Sequence, residues 1–125
     1  MSAGSLSKFN VKIEVKGFGE ARGELIRFLA PRTVDKIISS FPLEGKASLW
    51  KDEVYFITPI KMGSEKEKSN VESGTIAYWP MGGAICIFYG KSQPYSPVNV
   101  VGKVTENLEL FKSVKSGSTI TVKKA

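Results

Sequence analysis

The residues able to do chemistry in this chain are few, and their absences narrow the field first. Of 125 residues none is histidine, and Cys86 is the single cysteine. The commonest general base and commonest metal ligand is therefore missing. A Ser-His-Asp or Cys-His nucleophile is excluded, and so is an ordinary zinc site. Cys86 lies between Ile85 and Ile87 in an apolar run, where a thiol is a packing residue and not a nucleophile. Asp35, Asp52 and Glu53 fall where a helix surface or a turn is expected. Solvation is their expected state, and they nominate no acid–base pair. In "GFGEARGE" the glycines miss the dinucleotide spacing by one residue and join strand to strand, and "PMGG" lacks the Lys-Ser or Lys-Thr of a phosphate loop. No cofactor, metal site or catalytic residue is expected from these features.

What remains is "YWPMGGAICIFYG", Tyr78 to Gly90: aromatic residues, a Pro-Met-Gly-Gly turn, and a strand apolar on both faces. Ala84, Cys86 and Phe88 share one face, Ile85, Ile87 and Tyr89 the other. A solvent-facing strand carries polar residues at alternate positions. Each face of this one must therefore be covered, one by a core and the other by a helix, a loop or a ligand.

The elements that position this hairpin are legible in the periodicity. "KFNVKIEVKG" alternates, with Phe9, Val11, Ile13 and Val15 on one face, and "EARGELIRFLA" pairs back on it after the Gly17–Gly19 turn. Val34, Ile37, Ile38 and Phe41 recur at helical spacing, which predicts a helix over Thr33 to Ser40, opened at Pro31 or Thr33 and stopped by Pro42. "EGKASLW" and "EVYFITPI" read as strands joined at Lys51-Asp52. "KMGSEKEKSNVESG", Lys61 to Gly74, alternates in charge and reads as a solvated loop. Thr75 to Trp79, Ala84 to Tyr89, "VNVVGKV" (broken by Gly102) and "STITVKK" are further strands, and a short second helix is expected over Glu106 to Val114. About eight strands and two short helices predict one mainly β domain, a closed or nearly closed barrel.

The charge, +6 with a pI near 9.5, permits nucleic-acid binding but comes with no Arg-rich block and no nucleic-acid motif. No apolar run reaches the ~20 residues of a membrane span. The first residues lack the apolar stretch of a signal peptide, and about 1–7 reads as a flexible start. With one cysteine, these features predict a cytoplasmic protein with no membrane partner.

The order of these elements, with three local strings, resembles the cyclophilin-like fold. "LIRFLAPRTVDKII" is similar to a strand running into a Pro-x-Thr helix start (Pro31, Thr33). "YFITPIKM" is similar to the active-site strand, with Pro59 and Met62 in matching places. "VVGKVTENLELFKSV" is similar to the strand–Gly-Lys-Val–helix passage near the family's C-terminus (Gly102, Lys103, Val104). From about Phe9 onward the chain resembles still more closely a small prokaryotic group of cyclophilin-like proteins of unassigned function.

The resemblance implies a closed barrel of about eight strands and a surface groove. It also implies the loss of most prolyl-isomerase residues. The family's catalytic Arg falls at Phe56, its pocket Phe at Lys61, and its pocket Trp and His have no counterparts in "KSQPYSPV". In the family's register Ile85 and Ile87 face the peptide groove. With Tyr55, Phe56, Met62 and Trp79 they make an apolar cleft with a basic lip at Lys61. Three functions follow as expectations: a non-catalytic binding module for a small molecule or extended peptide; a prolyl isomerase rebuilt on Lys61 or Arg22; and a basic barrel binding nucleic acid.

Overall fold

The computed structural model describes residues 7–91 and 93–125, so the expected flexible start, apart from Ser7, lies outside the described residues. Nine strands form one antiparallel sheet: β1 (Lys8–Val15), β2 (Gly19–Ile26), β3 (Leu43–Lys46), β4 (Ser48–Trp50), β5 (Glu53–Ile57), β6 (Thr75–Trp79), β7 (Ala84–Phe88), β8 (Asn99–Glu106) and β9 (Thr119–Lys124). Their order is β3-β9-β1-β2-β8-β6-β7-β5-β4, and the sheet curls into a nearly closed barrel.

The expected barrel of about eight strands is present, with nine because one expected strand is two. "EGKASLW" is two strands hinged at Ala47, whose N–H donates to Ser118 and whose carbonyl accepts from Gly117. The bend sends β3 to one edge of the sheet and β4 to the other. One short passage of chain thus spans the seam, with Gly45 against Phe56 of β5.

The alternation in β1 does what period two requires: Val11, Ile13 and Val15 are buried in the barrel with Leu25, Val54, Phe56, Ile76, Tyr78, Ile85, Ile87 and Val101. The α-helix α1 (Pro31–Ser39) adds Val34 and Ile37 to this core. The second expected helix is a 3-10 segment, Leu108–Ser113, that buries Leu110 and Phe111. Gly102 does not break β8. It lies inside the strand, paired with Leu25 of β2 and Ile76 of β6.

The charged tract after Lys61 is not merely solvated. Ala30 precedes α1 and brings no side-chain cap, so the first N–H groups of the helix need another acceptor. Glu65 supplies it from the distant loop. It accepts from the Thr33 N–H and hydroxyl at 2.8 and 2.7 Å and from the Arg32 N–H at 3.1 Å. Buried Asn99 ties the loop down, accepting from the Glu65 N–H and donating to Thr33 Oγ1 and the Gly63 carbonyl.

Partial burial raises the Glu65 carboxyl, but the donors of Thr33 and Arg32 outweigh it and hold it below 4.5. A carboxylate whose folded pKa is depressed stabilises the fold above its unfolded pKa. That contribution is lost as pH falls through the folded value. Glu65→Gln keeps one acceptor and loses the charge. It is expected to cost about 1–2 kcal/mol near neutral pH. The gap from the parent should close as pH drops below about 4.5, read by urea melts across pH.

Candidate functional site

The β6–β7 hairpin has two apolar faces because two cores meet on it. Ile85 and Ile87 point into the barrel with Tyr78 and Phe56. Ala77, Cys86 and Phe88 point outward into a second, smaller core with Val98, edged by Tyr55, Val71, Trp79 and Val100. Loops cover that outer layer, pinned by a bridge between Lys68 and Val98.

Trp79 stands at the end of β6, where the Pro80–Gly83 turn begins. The turn closes with the Gly83 N–H donating to the Trp79 carbonyl, Gly83 taking a left-handed φ of 63°. The indole packs against Gly82, where an added Cβ would come within 2.3 Å of two ring carbons. Its N–H donates to Ser96 Oγ and so anchors the 93–97 loop.

Tyr55 on β5 leans toward Trp79 across β7, where Ala84 and Cys86 are small enough to leave room. Their centroids are 5.9 Å apart and their planes at 81°. Tyr95, 71% exposed, stands edge-on to Trp79 at 6.2 Å and to Trp50 at 5.7 Å. Trp50 ends β4 and pairs with Glu53 across the two-residue turn. The five residues Trp50, Glu53, Tyr55, Trp79 and Tyr95 line an open cleft of about 230 Å³.

Glu53 is the one ionisable acid in that lining, and it is only 5% exposed. Burial pushes its carboxyl above 4.5, and a hydrogen bond with the Cys86 thiol offsets part of the rise. Cys86 is itself fully buried, its thiol pushed well up by burial and by the neighbouring carboxylate, which leaves it unreactive.

The seven residues expected to line one site thus divide into three groups. Tyr55 and Trp79 meet in the aromatic cleft. Phe56, Ile85 and Ile87 are buried in the barrel, which corrects their placement on the groove. On β5 the outward positions are Glu53, Tyr55 and Ile57, and Phe56 faces in with Val54; on β7 the outward positions are the even-numbered ones. Lys61 and Met62 lie in a separate shallow groove of about 340 Å³ with Ile57, Ile60 and the 80–83 turn. The buried Tyr78 hydroxyl holds that segment, donating to the Ile60 carbonyl at 2.7 Å and accepting from the Met62 N–H. The expected meeting of Met62 with Trp79 is therefore corrected as well.

Sequence reasoning missed Trp50, Glu53 and Tyr95. Alternation along "EVYFI" carries the signal for Glu53, which shares a face with Tyr55 two residues on. Tyr95 comes from an irregular loop and has no local signal.

Gly82→Ala tests how the cleft is set. The new methyl has no place under the indole, so the ring must move. The barrel is expected to stay folded, with Trp79 emission and its access to acrylamide changed in a Trp50→Phe background.

A family model described as Cyclophilin-like matches residues 9–123. Among solved structures, the hypothetical protein AF2241 from Archaeoglobus fulgidus is similar with 35% identity and a TM-score of 0.82, over 95% of this chain and 96% of that one. McbB, solved in complex with tryptophan, has a similar fold at 14% identity and a TM-score of 0.79, over 91% of this chain and 44% of its own. No curated protein matches. Among the described residues no helix is long and apolar enough to cross a membrane.

Proposed function

The chain belongs to the cyclophilin-like family, and from that premise we propose that it is a binding module whose site is the aromatic cleft between β4, β5, β6 and the 93–97 loop. The observation that carries this reading is the open cleft walled by four rings, three on strands of the sheet and Tyr95 on a loop. Aromatic walls with a single placed polar group are the usual make-up of a small-molecule site. Rings buried for stability alone would be shielded from solvent, as Phe88 and Phe111 are in their two cores. Trp50 and Tyr95 instead stay in solvent at the rim.

The barrel positions the rings and does no chemistry itself. The strands fix Tyr55 and Trp79 at a spacing set by β7, Gly82 and Ser96 hold the Trp79 indole, and Tyr95 forms the outer wall. A screen of small organic molecules and short extended peptides, read by Trp79 emission in a Trp50→Phe background, tests the reading. Saturable changes are expected, together with appreciable acrylamide quenching of the free protein. A Trp79 shielded like a core residue, with no compound altering its emission, would overturn it.

A further inference from the structure

We propose that the occupant of this cleft is a small organic cation carrying a quaternary or fully methylated ammonium group. The inference rests on the binding-module reading and adds the ligand's charge and shape. Three observations carry it.

The rings do not stack. They meet nearly at right angles, with interplanar angles of 86°, 81° and 79° along the chain Trp50–Tyr95–Trp79–Tyr55. In this proposal the perpendicular rings are the walls of a box, and an occupant of the cleft they line meets their faces. An aromatic face carries negative charge density and attracts a cation within about 6 Å of its centroid, indole most strongly.

Glu53 lines the same box as a buried acid, and no Lys or Arg pairs with it among the described residues. Buried carboxyls ordinarily come with a cation. The chain has 18 Lys and Arg, yet none lines the cleft. Lys51, two positions before Glu53, places its Nζ 5.4 Å from the Trp50 ring centroid and is not among the lining residues. The position a cation would take is left open in a basic protein.

The space is compact. About 230 Å³ falls below the ~300–1,000 Å³ of drug-sized sites and suits a head group more than an extended molecule. Apart from Glu53 the walls offer few acceptors. A primary ammonium, which needs several hydrogen bonds, is poorly served there, and a methylated one needs none.

The test compares choline with its neutral isostere 3,3-dimethylbutan-1-ol by calorimetry and Trp79 emission. A peptide bearing one trimethyl-lysine forms a third arm. Choline is expected to bind saturably and at least tenfold more tightly than the isostere. Glu53→Gln, which retains an acceptor for the Cys86 thiol, should weaken choline about tenfold and leave the isostere unchanged. Tyr95→Ala, at an exposed loop position, should weaken choline several-fold whatever Glu53→Gln does to folding.

Equal affinity for choline and isostere would overturn the cationic ligand and leave the binding module standing. Binding of the trimethyl-lysine peptide with choline silent would overturn the small-molecule occupant in favour of a peptide. Silence of all three would overturn the inference, and the broader screen then decides separately whether the cleft binds anything.

Discussion

Replacing Gly102 by alanine is expected to leave little folded protein. A Cβ built there comes within 2.0 Å of the Glu24 carbonyl oxygen and 2.9 Å of Leu25 Cα, both backbone atoms of β2. Real contacts of this kind do not fall below 3.0 Å, and no side-chain rotation relieves this one. The two strands must separate. Gly102 pairs with Leu25 on one side and Ile76 on the other, so their separation opens the middle of the sheet.

Glycine elsewhere in a strand is a weakness; here it is a requirement of close approach. The expected loss is at least about 4 kcal/mol, comparable with the whole stability of many small domains. Gly63→Ala is the control. Nothing lies within 4 Å of its added Cβ and its φ is ordinary, so its effect should stay within about 0.5 kcal/mol. Soluble yield and thermal melting of the two variants make the comparison.

The second large effect is a lack of catalysis. On X-Pro peptides the protein is expected to fall at least about two powers of ten below an ordinary cyclophilin. Rotation about the bond faces a barrier of ~18–20 kcal/mol that falls when the amide loses resonance. A guanidinium donating to the substrate proline favours the twisted state, and a placed donor of this kind is worth about two to three powers of ten.

At that place in the resemblance stands Phe56, and its side chain is inside the barrel, 1% exposed. Its outward neighbours, Tyr55 and Ile57, bring no positive charge. Lys61 lies in a different groove from Trp79, and an ammonium on a flexible stem is a poor substitute for a planar fork. Arg22 is on β2 and pairs with Glu20 at 3.3 Å. An NMR exchange assay on a set of X-Pro peptides reads the result. Activity within two powers of ten, abolished by Lys61→Ala or Arg22→Ala, would mean a rebuilt active site.

The barrel was legible because its signals are local. Strict alternation in β1 and helical spacing in Val34-Ile37-Ile38 report burial directly. Two-faced apolarity in β7 correctly demanded a cover on each side. It did not say which face was which, since both are apolar. Size is the discriminating property: Ile85 and Ile87 fill a barrel, whereas Ala84 and Cys86 leave room above them for two large rings.

The seam at Ala47 was hidden because the bend is made by hydrogen bonds to Gly117 and Ser118, some 70 residues away. Glu65 was hidden for the same reason. Its helix lies over 30 positions earlier, and only the missing cap at Ala30 hinted that a partner was needed. The site divides likewise. Tyr55 and Trp79 lie on regular strands and were found; Glu53 shares the alternation of β5 and was missed, Trp50 ends a strand that the hidden seam sets apart, and Tyr95 enters through a loop that alternation does not encode.

The central claim is that the four-ring cleft, and not the Lys61–Met62 groove, is where this protein binds. Titration of the ¹⁵N-labelled chain with the tightest compound from the emission screen tests it most directly. The indole N–H signals of Trp50 and Trp79 and the amides of Glu53 and Tyr55 are expected to move together with one saturation curve. Motionless indole signals, with shifts confined to Ile60, Lys61, Met62 and Met81, would contradict it.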